Sequence, residues 1–426
     1  MYRLLHSFLL FSAIALSVHF ATAQESSAPA ASTDKGVRFE HDLSWAQIQA
    51  KAKSEHKYIF VDGFTTWCGP CRFMRTKIFP QEETGAYFND KFISVEVQLD
   101  TTAKDNDHVK SWYADAHELM TKYGIRAFPT YLVFTPEGQP LHRLVGSTET
   151  AAKFIDGVRE SFDTTKQFYT QLRQFEAGRR DTAFLYRLAF RAMEDYYDLQ
   201  DGAPVFNAWL AAQPSPYTTA GMKLMQDYTS STTDPGFALF LHHSKEVDKV
   251  LGDGKAASLV NTILLRQYVI HDLRALGGKD PDWTAIQTRL AADYPAQAAE
   301  VTARGKVNYY EGKRDWPNFQ TTVVAYMQKY GAHATPGELN DFAWAVFSNC
   351  PDMKCVEEAL EWSKRSFKDK PVAGYMDTYA NILYKMGKKD DAIAWEQKAA
   401  DAADSEERAG YQQTIDKMKK GEKTWN

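Results

Sequence analysis

Two cysteines held two residues apart, in Trp67-Cys68-Gly69-Pro70-Cys71, constrain this chain more than any other feature of its 426 residues. The apolar, β-rich run Tyr58-Ile59-Phe60-Val61 precedes the motif, and helix-forming residues follow it as far as Pro80. That order puts Cys68 at a helix N-terminus, where unpaired backbone N–H groups and the positive dipole end favour a thiolate. Cys71 falls one turn later on the same side and is shielded. Such a pair exchanges disulfides: exposed Cys68 attacks a substrate disulfide, and Cys71 resolves the mixed disulfide. Pro70 lies in the first turn, where its missing N–H costs little. Half a zinc site and a static bridge are the alternatives. Zinc needs two more ligands at matching spacing, whereas Cys350 and Cys355 lie far away in a helical region. The strand directly before the motif speaks against both.

Length alone implies two or three domains, and 44% hydrophobic with 25% charged residues fits a soluble globular protein. A net charge of −5 supplies no field for nucleic acid, and no partner of that kind is expected. At the start, Arg3, the apolar run Phe8 to Val18 and the small-x-small Ala21-Thr22-Ala23 read as a cleaved export signal. The alternative is an uncleaved anchor over Leu4 to Ala23, which His6, Ser7, Ser12, Ser17 and His19 weaken. An exported protein is therefore expected, in a bacterial periplasm and with no stable membrane insertion after cleavage. Four cysteines are too few for a disulfide-stapled fold, but they form two close pairs.

The expected organisation is a signal over 1–23, a Ser/Ala/Pro-rich linker over 24–36, an α/β domain over 37–163, an α-helical domain over 164–335 and helical repeats over 336–426. In the α/β part, Ser44 and Gln47 form a capping box before a helix to about Ser54. Strands follow at Tyr58–Val61, Phe92–Leu99, Thr130–Phe134 and Leu141–Val145, with a helical insert over 107–123 and a closing helix over 148–162. Alternating elements followed by a hairpin imply a mixed sheet with helices on both faces. From about Thr164 the β signal ends, and apolar residues recur at helical spacing over 183–197, 257–276, 296–310 and 316–330. Near the C-terminus the chain repeats itself. Phe342 and Tyr379, and Ala359 and Ala392, stand 37 and 33 residues apart, around the 34-residue period of a helix–turn–helix repeat. With Ala380, Tyr384, Gly387 and Ala399, this part resembles the tetratricopeptide repeat family. That resemblance implies a surface that docks a peptide or protein; packing against a neighbour is the alternative.

Residues 57–162 resemble the thioredoxin family. The resemblance places that family's buried acid at Asp62, its cis-proline at Pro129 and its glycine after the last strand at Gly146. It implies that Asp62 accepts the proton of the resolving thiol, and that the Phe128 backbone pairs with a substrate strand. Trp67, Gly69, Pro70, Phe128 and Gly146 would then form the substrate-binding surface around the catalytic Cys68, Cys71, Asp62 and Pro129. Glu96 stands where the family has a lysine, Phe128 is bulkier than usual, and the insert over 101–122 is longer. Arg72-Phe73-Met74 and Phe79 look more like exported members related to the C-terminal domain of the transmembrane disulfide reductase. Gly-Pro between the cysteines resembles reducing members, so reduction of protein disulfides is expected, with isomerase or oxidase activity as the alternative. A helical binding module with a regulatory thioredoxin domain is a further reading. Leu251-Gly252-Asp253-Gly254-Lys255 has neither dinucleotide nor phosphate-loop spacing, so no cofactor is expected and electrons must come from a donor protein. No metal site is expected either, since His242 and His243 are adjacent. Cys350 and Cys355 are candidates for a structural disulfide, or for electron exchange with the motif.

Overall fold

The computed structural model describes residues 35–425 apart from Gly278; the expected signal and the linker up to residue 34 lie outside the described residues. The chain divides into two compact units between Gln171 and Leu172.

In the first unit, helix α1 (Trp45–Glu55) starts at the capping box, where Ser44 Oγ accepts from the Gln47 backbone and Gln47 Oε1 accepts from the Ser44 backbone. Strand β1 (Tyr58–Phe64) follows, then α2 (Gly69–Phe73), which runs on into a π-turn over Met74–Ile78. Next come α3 (Glu82–Lys91), β2 (Phe92–Gln98), α4 (Asp107–Ser111), α5 (Tyr113–Lys122), β3 (Thr130–Phe134), β4 (Pro140–Val145) and α6 (Ala151–Arg159). The strands form one sheet in the order β2-β1-β3-β4. β1 and β2 are parallel, which requires a crossover, and α2 and α3 supply it. β3 runs antiparallel to both β1 and β4. β1 is longer than its apolar run because Asp62, Gly63 and Phe64 still pair with β2. As the strand between two neighbours it buries five consecutive residues.

One sheet face packs an aromatic core. Phe60 meets Phe88 at 4.8 Å and Tyr131 at 5.5 Å, while Phe88 stacks on Phe154 at 5.5 Å. Met74 and Ile78 join this core, fixing the helix that follows the motif against the sheet. Burying each such side chain contributes about 1.5–3 kcal/mol. The unit ends later than residue 163. The Gln167 amide donates to Ser161 O at 2.7 Å, the Phe168 N–H donates to His142 Nδ1 at 3.2 Å, and Tyr169 packs on Tyr123. These contacts tie the first turn of the following helix to the sheet.

The second unit is helical throughout its described length. The expected run over 183–197 is a helix over Thr182–Glu194, ended where Tyr197 takes a positive φ of 52°. The run over 257–276 contains a π-turn at Leu265–Ile270. Toward the C-terminus, helices Pro336–Asn349, Met353–Ser366, Ala373–Lys385 and Lys389–Ala402 pack in consecutive pairs, and Arg408–Lys420 follows. Ala359, Ala380 and Ala392 are wholly buried between them, where small side chains let the helices approach closely.

Candidate dithiol active site

Cys68 is the residue that caps α2. Its φ of −74° and ψ of 110° leave the chain extended, and its Sγ accepts the Cys71 N–H at 3.0 Å. The Cys68 N–H donates in turn to Thr65 O at 3.2 Å. Thr66 is held by two bonds to the Asp100 carboxylate, so β1 leads into a defined turn before the helix. Cys68 and Cys71 are joined as a disulfide. A sulfur at this position meets free N–H groups and the positive helix end once the bond opens, which favours the thiolate.

The surroundings place the remaining expected residues. Trp67 is 69% exposed, and its ring meets that of Phe128 edge-on at 5.7 Å. Gly69 and Pro70 are exposed, and a side chain at Gly69 would meet nothing within 4 Å. The Phe128–Pro129 peptide is cis, and Pro129 O accepts the Gly146 N–H at 2.8 Å. Gly146 has a φ of 92°, a conformation that favours glycine. Cys68 itself is 4% exposed and Cys71 5%. The expected contrast between an open first sulfur and a shielded second one is therefore absent while they are bonded. Trp67, Gly69 and Pro70 form the open surface instead.

Asp62 lies in β1, in the row of residues crossing the sheet. Its register partners are Glu96 on β2 and Tyr131 on β3. It is 2% exposed, and its Oδ1 has no hydrogen-bond partner. Burial pushes its carboxyl well above the usual range, the neighbouring Glu96 charge pushes it further, and Arg75 opposes both. Arg75 Nε donates to Glu96 Oε1 at 2.8 Å, and its guanidinium covers the Phe64 ring at 4.2 Å. Sequence reasoning singled out Glu96 but not Arg75. Arg75 follows Cys71 by four residues, one turn along the helix, but that spacing alone does not reveal its partner on β2.

Cys350 and Cys355 belong to the helical unit, as free, buried thiols. The Cys355 thiol points at Cys350 Sγ from 3.6 Å. Cys350 ends one helix and Cys355 lies in the first turn of the next, so the intervening Pro351-Asp352 turn brings the sulfurs together. Among the described residues, no group of three or more His, Cys, Asp or Glu is arranged to hold a metal ion.

Residues 44–160 match the family model of a thioredoxin-like domain. The chain is similar to Thioredoxin-2 of Pyricularia oryzae, 30% identical over 131 residues that make up 29% of this chain and 66% of the relative. It is also similar to thioredoxin Asp f 28 of Aspergillus fumigatus, 38% identical over 22% of this chain and 70% of the relative. Among solved structures, a putative disulphide-isomerase from Bacteroides thetaiotaomicron is 30% identical and aligns over 31% of this chain and 98% of its own, with a TM-score of 0.26.

Proposed function

This chain belongs to the thioredoxin family, and from that premise we propose that it is a thiol–disulfide oxidoreductase that reduces disulfides of exported client proteins. The observation that carries the reading is the Cys68–Cys71 bond at the start of a helix, with exposed Trp67, Gly69 and Pro70 around it. In the reaction, the reduced Cys68 thiolate attacks a client sulfur and expels the client's second thiolate. Asp62 takes the Cys71 proton. The Cys71 thiolate then attacks Cys68, forms the Cys68–Cys71 bond and releases the client's first thiolate. The oxidised pair is the product state, and a donor protein must return two electrons to it.

Export is supported by the apolar run and small-x-small pattern of the first 23 residues. Among the described residues, no helix is long and apolar enough to cross a membrane. For the helical unit we propose client docking. A hollow of about 700 Å³ there has Phe367, Met376 and Trp395 in its lining, with three lysines, Lys364, Lys368 and Lys398, and one acid, Asp401, around them. That chemistry suits a client segment bearing apolar and acidic side chains. Reduction of insulin disulfides by the full chain, regenerated with dithiothreitol, tests the central reading. Turnover well above the dithiothreitol background, abolished by Cys68→Ser, supports it; equal rates with and without the protein refute it.

A further inference from the structure

We infer that Arg75 and Glu96 are positioning residues for the dithiol: as a fixed ion pair they set the charge that faces Asp62, and so its readiness to exchange a proton with Cys71. This rests on the exchange reading above, in which Asp62 is the proton acceptor.

The geometry begins with the register. Glu96 stands directly across from Asp62 in the parallel β1–β2 pair, so the two carboxyl-bearing residues share one face of the sheet. Two acids side by side at a buried position would ordinarily repel. Here Arg75 reaches over from the π-turn after α2, and its Nε holds Glu96 Oε1 at 2.8 Å. The guanidinium is itself fixed over the Phe64 ring at 4.2 Å, which orients a planar cation well. Both ends of the pair are thus anchored on elements that frame the site: Phe64 closes β1, and Arg75 follows Cys71 by four residues.

The charge at Asp62 is set by some of the elements packed around it and not by others. From β2 comes Glu96, from β3 the phenol of Tyr131, and from the π-turn after the motif helix Arg75. The faces of α3 and α6 that join this core contribute Phe88, Phe154 and Val158, which carry no charge. Tyr131 stays neutral, because burial and the Asp62 charge both push its phenol upward. The field at Asp62 is therefore a contest between one negative and one positive side chain on top of burial. Glu96 raises its proton affinity and Arg75 lowers it.

The chemistry needs that contest to be close. During resolution the Cys71 thiol gives its proton to the Asp62 carboxylate, the Cys71 sulfur bonds to Cys68, and the Cys68–client bond breaks. The client thiolate leaves and takes a proton from water, and two electrons have passed from the dithiol to the client. An Asp62 that holds its proton too firmly cannot accept another. Arg75 opposes burial and Glu96, and so eases the loss of that proton. A family-type lysine at position 96 would act by a single positive charge; here the cation comes from the helix and the strand supplies the anion.

The test reads Asp62 directly. The full-length oxidised protein is labelled with ¹³Cγ-aspartate, and the Asp62 signal is identified by its loss in Asp62→Asn. Glu96→Gln removes the anion and leaves Arg75 unopposed, so the Asp62 titration moves down, by roughly one pH unit. Arg75→Gln moves it up by a similar amount, roughly one pH unit. Arg75→Lys restores the wild-type position and covers the case in which Arg75→Gln fails to fold. In single-turnover measurements, the acid limb of the resolution rate should shift in the same directions. A purely structural role would perturb both variants alike. Shifts of the same sign, or no shift in either, overturn the inference. If the Asp62 signal moves as stated but no variant or wild type reduces a disulfide, the exchange reading fails instead.

Discussion

Asp62 is a carboxyl group with almost no water around it, and its cost shows in stability as well as in chemistry. Because its folded-state pKa is raised, the folded protein keeps this proton over a pH range where the unfolded chain has already lost it. Stability from this group is complete below the unfolded value near pH ~4 and declines as pH rises toward the folded value. Asp62→Asn should therefore raise the melting temperature of the oxidised protein at pH 8 more than at pH 4. The same variant should slow resolution by roughly 100-fold, as loss of a positioned base does, and accumulate the mixed disulfide. Scanning calorimetry at the two pH values checks the first part, and quenched-flow alkylation the second. The two sulfurs were legible in the sequence because their spacing carries the chemistry. Asp62 was legible through the resemblance. Arg75 was not, since a lone arginine on a helix reads as surface until strand register sets Glu96 beside Asp62. Nor could the motif reveal that bonding leaves Cys68 as covered as Cys71.

At the scale of elements, local rules carried far where the determining residues are neighbours in sequence. The Ser44–Gln47 box starts α1, and the apolar runs at 58–61 and 130–134 lie within β1 and β3. The π-turn at Met74–Ile78 escaped this reading because apolar spacing does not distinguish it from an ordinary α-turn. Met74 Sδ accepts the Thr148 N–H at 3.4 Å, while Met74 O accepts the Phe79 N–H at 2.9 Å. Helix α3 meets distant chain closely. A Cβ at Gly85 would lie 2.1 Å from Lys35 O and 2.5 Å from Gly36 O, both backbone atoms. Gly85→Ala should therefore cost about 1–3 kcal/mol, read from urea unfolding of the full chain. The turn between the helices ending at Asn349 and starting at Met353 makes another element-scale prediction. Its two thiols stand 3.6 Å apart, and Lys385 Nζ holds Cys350 O at 3.0 Å. Glutathione disulfide should oxidise the pair to a bridge, a closure worth about 2 kcal/mol by loop entropy. Mass spectrometry of the 350–355 peptide after alkylation in denaturant would detect it, whereas two alkylated thiols would count against it.

For the molecule as a whole, each unit carries its own core, and each carries a buried acid that couples its stability to pH. In the helical unit Glu396 is fully buried beside Asp377, and burial followed by the Asp377 charge pushes its carboxyl upward. Its protonated form belongs to the fold, so this contribution too is complete in mild acid and is lost as pH climbs above the unfolded value. Glu396→Gln, which cannot ionise, should flatten the fall in helical-unit stability between pH 5 and pH 9; circular dichroism melts across that range check it. The repeat spacing near the C-terminus made helical packing legible, through Ala359, Ala380 and Ala392, yet it could not place two acids in one interior. What joins the units functionally is the proposal that one reduces what the other holds, and that depends first on Cys68 as a nucleophile. The most direct measurement is intact mass of Cys71→Ala after incubation with insulin under non-reducing conditions. A covalent adduct is expected, released by dithiothreitol and absent when Cys68→Ser is added. A Cys71→Ala chain that never acquires a disulfide-linked insulin chain, while remaining folded and alkylatable at Cys68, would contradict the account.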